Sequence, residues 1–214
     1  MFAFEGLGSI YWHMIAKLLL AAEECHRAAI ANGASAEIIA ELRGAYYDIR
    51  RGLGFTKPPE VYGAFPTDPY SHTPRHLGAQ QPGMTGQVKE EILTRRAELG
   101  VRVERGQLVF HPTLLFRSEL QPEAHAFEYV DLTGTAQTWN LPAHSLAFTC
   151  CQVPVSYVMA EHFAITIEIS GGKTRTVDSQ RLSEADSRAI FSRTGEIIRL
   201  TVSIPASALW ERSE

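Results

Sequence analysis

Three segments of the chain carry side chains whose types and spacing suit chemistry. In Gly8-Ser9-Ile10-Tyr11-Trp12-His13, glycine lets the backbone turn at the mouth of a helix, and an indole sits beside an imidazole. Indole stacks on the apolar face of a pyranose, and histidine holds a hydroxyl or an anion. The plainer reading is packing, with Trp12 in the core and His13 a hydrogen-bonded buried histidine. Pro82-Gly83-Met84-Thr85-Gly86-Gln87 opens another helix. A helix N-terminus presents free N–H groups and a positive dipole end, and the glycine after Thr85 leaves room for a phosphate to approach. The plainer reading makes Thr85 an N-cap and Gly86 a tolerated glycine. The third segment is a loop with Asp68, Tyr70, His72, Arg75, His76, Gln80 and Gln81. These groups read hydroxyls, or they decorate a polar surface loop.

Other chemistries find little support. His72 and His76 are four apart, but Pro74 lies between them and no thiol or acidic cluster joins them, so no metal site is expected. There is no nucleophile elbow, Walker loop or dinucleotide fingerprint. The three cysteines are Cys25, Cys150 and Cys151. An odd count with two adjacent makes a poor disulfide framework and points to reduced, cytoplasmic thiols. Cys150-Cys151 reads as inert thiols in an apolar strand, and Glu23-Glu24 and Glu90-Glu91 read as solvated helix faces. Net charge is -4, with no basic block, so neither nucleic acid nor an anionic membrane is an expected partner. No apolar run approaches the ~20 residues of a spanning helix, and Met1 to Gly8 lacks a secretory signal pattern.

The elements that position these groups fall into two parts. The chain has 214 residues, 45% apolar and 21% charged, which fits one large domain or two small ones at ~150 residues per domain. Residues 1–99 read as helix and loop. Ile10, Met14, Ile15, Leu18 and Leu19 form a helical stripe that stops at Asn32-Gly33. Ser35 caps the next helix, whose stripe runs through Ile38, Ile39, Leu42, Ala45, Tyr46 and Ile49. The two make an αα-hairpin. A Pro/Gly/Tyr/His-rich loop covers 56–84, long enough to suggest a function. A third helix runs from about Thr85 to Glu98, with Val88, Ile92 and Leu99 inward. Residues 100–214 switch to period two. A hairpin at Arg105-Gly106 is followed by strands near 126–130, 146–151, 153–159, 164–169, 174–177 and 197–204. Pro154 belongs at an edge or bulge, and Ser183 to Asp186 forms a capping box. The fold class is α+β, with helices followed by an antiparallel β-sandwich or jelly-roll-like domain.

Taken in order, the segments resemble the cellobiose and chitobiose phosphorylase family. Gly8 to His13 resembles that family's Gly-Gly-Ile-Phe-x-His segment, Asp68-Pro69-Tyr70 its Glu-Pro-Tyr, and Thr85-Gly86 its Thr-Gly. Gly106-Gln107-Leu108-Val109-Phe110-His111-Pro112 resembles the start of its final β-region. The match covers about residues 6 to 116. The resemblance implies that the helices are a remnant of an (α/α)6 barrel with a β-domain beside it. It implies inverting cleavage or synthesis of β-glucosidic bonds with inorganic phosphate as co-substrate. His13, Thr85 and Gly86 then correspond to the phosphate site, and Tyr70 lies near the sugar. The family's general acid falls upstream of the matched region. Inverting cleavage needs such a proton donor, and Asp68 is only a weak substitute.

The expectation is therefore a carbohydrate-active fragment that binds sugar or phosphate and is not active as an isolated chain. Phosphate falls to His13, Thr85 and Gly86. Sugar falls to Trp12, Asp68, Tyr70, Arg75, Gln80 and Gln81. The alternative is a non-catalytic sugar-binding or assembly module. Helices taken from a barrel would expose Leu18, Leu19, Ile38 and Ile39, which predicts a homodimer or association with the rest of a longer protein.

Overall fold

A computed structural model describes the backbone over residues 12–52 and 88–211. It divides into two compact units, Met1–Arg96 and Ala97–Glu214. The architecture is α+β.

In the first unit, α1 (Trp12–Ala31) and α2 (Ala36–Gly52) pack as a helical hairpin. α1 ends where Gly33 takes φ +67 and the N–H of Ala34 donates to the carbonyl of Ala29 at 2.9 Å. That left-handed residue and six-to-one bond form a Schellman stop. Ser35 then caps α2, accepting from the Ile38 N–H at 3.4 Å. The buried face of α1 runs through Ala16, Leu19, Glu23 and His26, and that of α2 through Tyr46 and Arg50. α3 (Val88–Glu98) follows, and Arg50 lies 3.6 Å from Glu91 on it.

Several side-chain expectations are corrected here. Ile92 is 62% exposed, and the buried positions of α3 are Glu90, Thr94 and Glu98, spaced four apart. The Thr94 hydroxyl donates back to the Glu90 carbonyl at 2.9 Å, so this face is built from polar groups and the apolar-stripe rule misassigns it. Glu23 and Glu90 are accordingly buried. Of the expected exposed patch, Leu18 and Ile38 are about half exposed, but Leu19 is buried.

The second unit holds nine strands among the described residues. β1 (Val101–Glu104) and β2 (Gln107–Phe110) form a hairpin around Arg105 and Gly106, both at positive φ. β3 (His125–Val130) and β4 (Ala136–Leu141) form a second hairpin. β5 (Ser145–Cys150), β6 (Val153–Ala160), β7 (Ala164–Ile169), β8 (Lys173–Val177) and β9 (Ile197–Pro205) make one sheet in the order β5-β6-β9-β7-β8. The sheet is not wholly antiparallel, because β6 and β9 run parallel. Helix α4 (Glu184–Phe191) lies in the connection from β8 to β9. Ser183 caps it, accepting from the Asp186 N–H at 3.1 Å.

One face of this sheet carries the core. Val155, Tyr157, Ile165, Ile167, Leu200, Val202 and Ile204 pack with Leu108 and Phe110 of β2 and Ile190 of α4. Ser187 ties α4 to β2 by accepting the Leu108 N–H at 2.9 Å. Pro154 corrects an expectation. β6 is an interior strand, and Pro154 faces Thr149 on β5, while the ladder to β9 starts only at Val155. Proline survives there because its missing N–H falls outside the inner ladder. Cys151 is not in a strand. With Gln152 it forms the β5–β6 turn, both residues at positive φ.

Candidate functional site

The sheet's second face is polar. Alternation along each strand sends Ser156, Thr201, Thr166 and Thr176 to it, and register aligns them in one row across β6, β9, β7 and β8. The hydroxyls touch along the row. Ser156 Oγ lies 3.4 Å from Thr201 Oγ1, and Thr166 Oγ1 lies 3.0 Å from Thr176 Oγ1. One row along, Arg199 on β9 faces Glu168 on β7. The pair is bidentate, with Nε donating to Oε2 and Nη2 to Oε1 at 3.1 Å. The hydrogen bond to Glu168 raises the pKa of Arg199 above its ordinary value, and the nearby Tyr129 adds to the effect. Such a fork geometry fixes a guanidinium plane in place.

The β3–β4 hairpin brings aromatic groups to this pair. His125, Phe127 and Tyr129 alternate with exposed Ala126, Glu128 and Val130. Phe127 and Tyr129 stack with centroids 5.7 Å apart and planes 14° apart. Trp139 sits directly opposite Phe127 on β4. The Arg199 guanidinium lies 5.2 Å from the centre of the Trp139 ring, a cation–π distance. None of these three aromatics belongs to the hydrophobic core cluster.

The hairpin's shape is set at its tip. Asp131 accepts from the Thr133 N–H at 2.8 Å, the Thr133 hydroxyl at 2.6 Å, the Thr135 N–H at 3.0 Å and the Gln137 amide at 2.8 Å. Gly134 supplies φ +84 for the turn. The Thr133 and Gln137 side chains, followed by the Thr135 N–H, lower the Asp131 pKa to about 2. The hairpin should therefore lose this anchor as pH falls from about 4, where a free aspartate begins to protonate, through about 2. A carboxyl titration by NMR is expected to place Asp131 near 2, and a midpoint at the ordinary 3.8 would remove the four-donor cradle.

The cluster offers an arene wall, a fixed guanidinium–carboxylate pair and a row of hydroxyls. Side chains of these types are the ones suited to a polyhydroxylated ring, arenes to its apolar face and polar groups to its hydroxyls. Among the described residues, no three His, Cys, Asp or Glu side chains gather as metal ligands. No helix among the described residues is long and apolar enough to cross a membrane.

None of the residues singled out from the sequence is among the groups of this cluster. The backbone of Trp12 and His13 forms the first turn of α1, and their side chains lie outside the described residues. Asp68, Tyr70, Arg75, Gln80, Gln81, Thr85 and Gly86 also lie outside them. Sequence reasoning missed Trp139, Phe127, Tyr129, Arg199 and Glu168. The available signal was the alternation Phe127-x-Tyr129 with an Asp131-to-Gly134 turn after it, which marks a hairpin with one aromatic face. Comparison of the sequence with known family models and with curated proteins finds no match.

Proposed function

We propose that the chain is a non-catalytic carbohydrate-binding module, in which the second unit holds the sugar. The observation that carries this reading is the Phe127–Tyr129–Trp139 aromatic group beside the Arg199–Glu168 pair. Under it, the β3–β4 hairpin and the five-stranded sheet act as a partial sandwich. The helices of the first unit act as a remnant of an (α/α)6 barrel, in keeping with the resemblance to inverting glycoside phosphorylases. The phosphate assignment to His13, Thr85 and Gly86 is a separate part of the proposal. A cytoplasmic setting is supported by the cysteine usage, an odd three with Cys150 and Cys151 adjacent.

Calorimetric titration with β-linked gluco- and chito-oligosaccharides tests the sugar site. Trp139→Ala is expected to weaken binding at least tenfold, or about 1.4 kcal/mol. Full affinity in Trp139→Ala, or no binding by the unaltered chain at millimolar sugar, overturns the reading. A parallel titration with inorganic phosphate, using His13→Ala and Thr85→Ala, separates the anion site from the sugar site.

A further inference from the structure

We propose that α1 is a self-association surface on which a second copy of this chain docks in antiparallel orientation. Met14, Leu18, Ala21, Cys25 and Ala28 are all exposed. They recur at intervals of four, three, four and three residues, the heptad spacing of a coiled-coil seam. Met14 is 58% exposed and Leu18 50%. This seam is distinct from the face through Ala16, Leu19, Glu23 and His26, which is buried. Ala21 at the middle of the seam lets two backbones approach closely.

Charge selects the occupant and its direction. Lys17 and Glu24 flank the seam on one side, seven residues apart, and both are exposed. Neither makes an ion pair among the described residues, whereas the neighbouring Arg27 and Glu23 lie 3.7 Å apart on the same helix. In a parallel pair, Lys17 would face Ala22 of the copy and Glu24 would face Ala29, so both charges go unanswered. In an antiparallel pair, Leu18 meets Ala21 of the copy and Met14 meets Cys25. Lys17 then comes level with Glu24 of the copy to within about 3 Å along the axis, a gap that long side chains close. The two-fold symmetry forms the pair twice. A helix of the same sequence, reversed, is thus complementary to this face in both shape and charge.

Sedimentation equilibrium of the full chain under reducing conditions tests this. A dimer is expected at about 100 μM. Leu18→Glu should give a monomer whose circular-dichroism melt matches that of the unaltered chain at concentrations too low for the dimer, because Leu18 is half exposed. Lys17→Glu and Glu24→Lys should each weaken the dimer about fivefold, by replacing two attractions with two repulsions. Combining the two should restore it, since the charges are then exchanged and again complementary. A monomeric unaltered chain at that concentration overturns the proposal. A dimer that survives Leu18→Glu, or a double variant no tighter than the single ones, overturns it as well.

Discussion

Gly100→Ala is expected to remove a large share of the stability of the second unit. Gly100 has φ +66, and a Cβ built on it would lie 2.1 Å from the carbonyl carbon of His111, 2.2 Å from its oxygen and 2.3 Å from the nitrogen of Pro112. All three atoms are backbone, so no side chain can swing aside. The strands cannot simply part either, because the His111 N–H donates to the Gly100 carbonyl at 2.9 Å. The left-handed conformation alone costs an alanine about 1–2 kcal/mol. The overlap adds about 1–3 kcal/mol or more. Together these take a large share of the about 5–15 kcal/mol that stabilises a domain. Gly171→Ala is the control. It shares the positive φ, at +85, but a Cβ there meets nothing within 4 Å. Urea unfolding should put Gly100→Ala well below Gly171→Ala, and equal midpoints would mean that the close approach to His111 is absent.

Removing the Tyr157 ring is the second large effect, and two substitutions divide it. Tyr157 is fully buried, with Phe148 edge-on at 5.2 Å and Phe110 edge-on at 6.2 Å. Its hydroxyl donates to the carbonyl of Leu99. Tyr157→Phe keeps the ring but leaves that carbonyl without its donor, at a cost of about 1–3 kcal/mol. Tyr157→Ala also opens a cavity among the aromatics, for a total of about 3–5 kcal/mol or more. Denaturant midpoints should fall in that order. Similar losses from both would assign the whole effect to the hydrogen bond. Burial also pushes the Tyr157 pKa well above 10. The unfolded chain therefore loses this proton first. The contribution is present in full below pH 10 and declines as pH rises beyond it.

The parts of the fold legible in the sequence are those set by local rules. Asn32-Gly33, Ser35, Arg105-Gly106 and Ser183 each stop, cap or turn the chain by their own geometry, and the elements they bound are found there. Strand β7 spans Ala164–Ile169, the range read from alternation alone. β4 (Ala136–Leu141) escapes the alternation rule because Trp139 and the terminal Leu141 are its only large apolar residues, and the strand is defined by its pairing with β3. The β5–β6 turn is hidden in the sequence because Cys151 and Gln152 are not the glycine or asparagine that usually mark such turns. The buried Glu23 and Glu90 escape any reading that infers burial from polarity. The candidate site was invisible for a further reason. Phe127, Trp139, Glu168 and Arg199 come from four strands, and only register within two separate sheets and the contact of Arg199 with Trp139 between them bring the four together.

The placement of β9 sets the order in which the second unit can be made. β9 is the middle strand of the sheet, yet it follows every other strand in sequence. Its parallel partner contact, Val155 with Leu200, closes over about 45 residues of chain. Until the ribosome has released the chain through Pro205, β6 and β7 have no common neighbour, and their apolar faces stand open. Nascent chains paused before that point hold two unjoined half-sheets, the state in which edge pairing with another chain competes with folding.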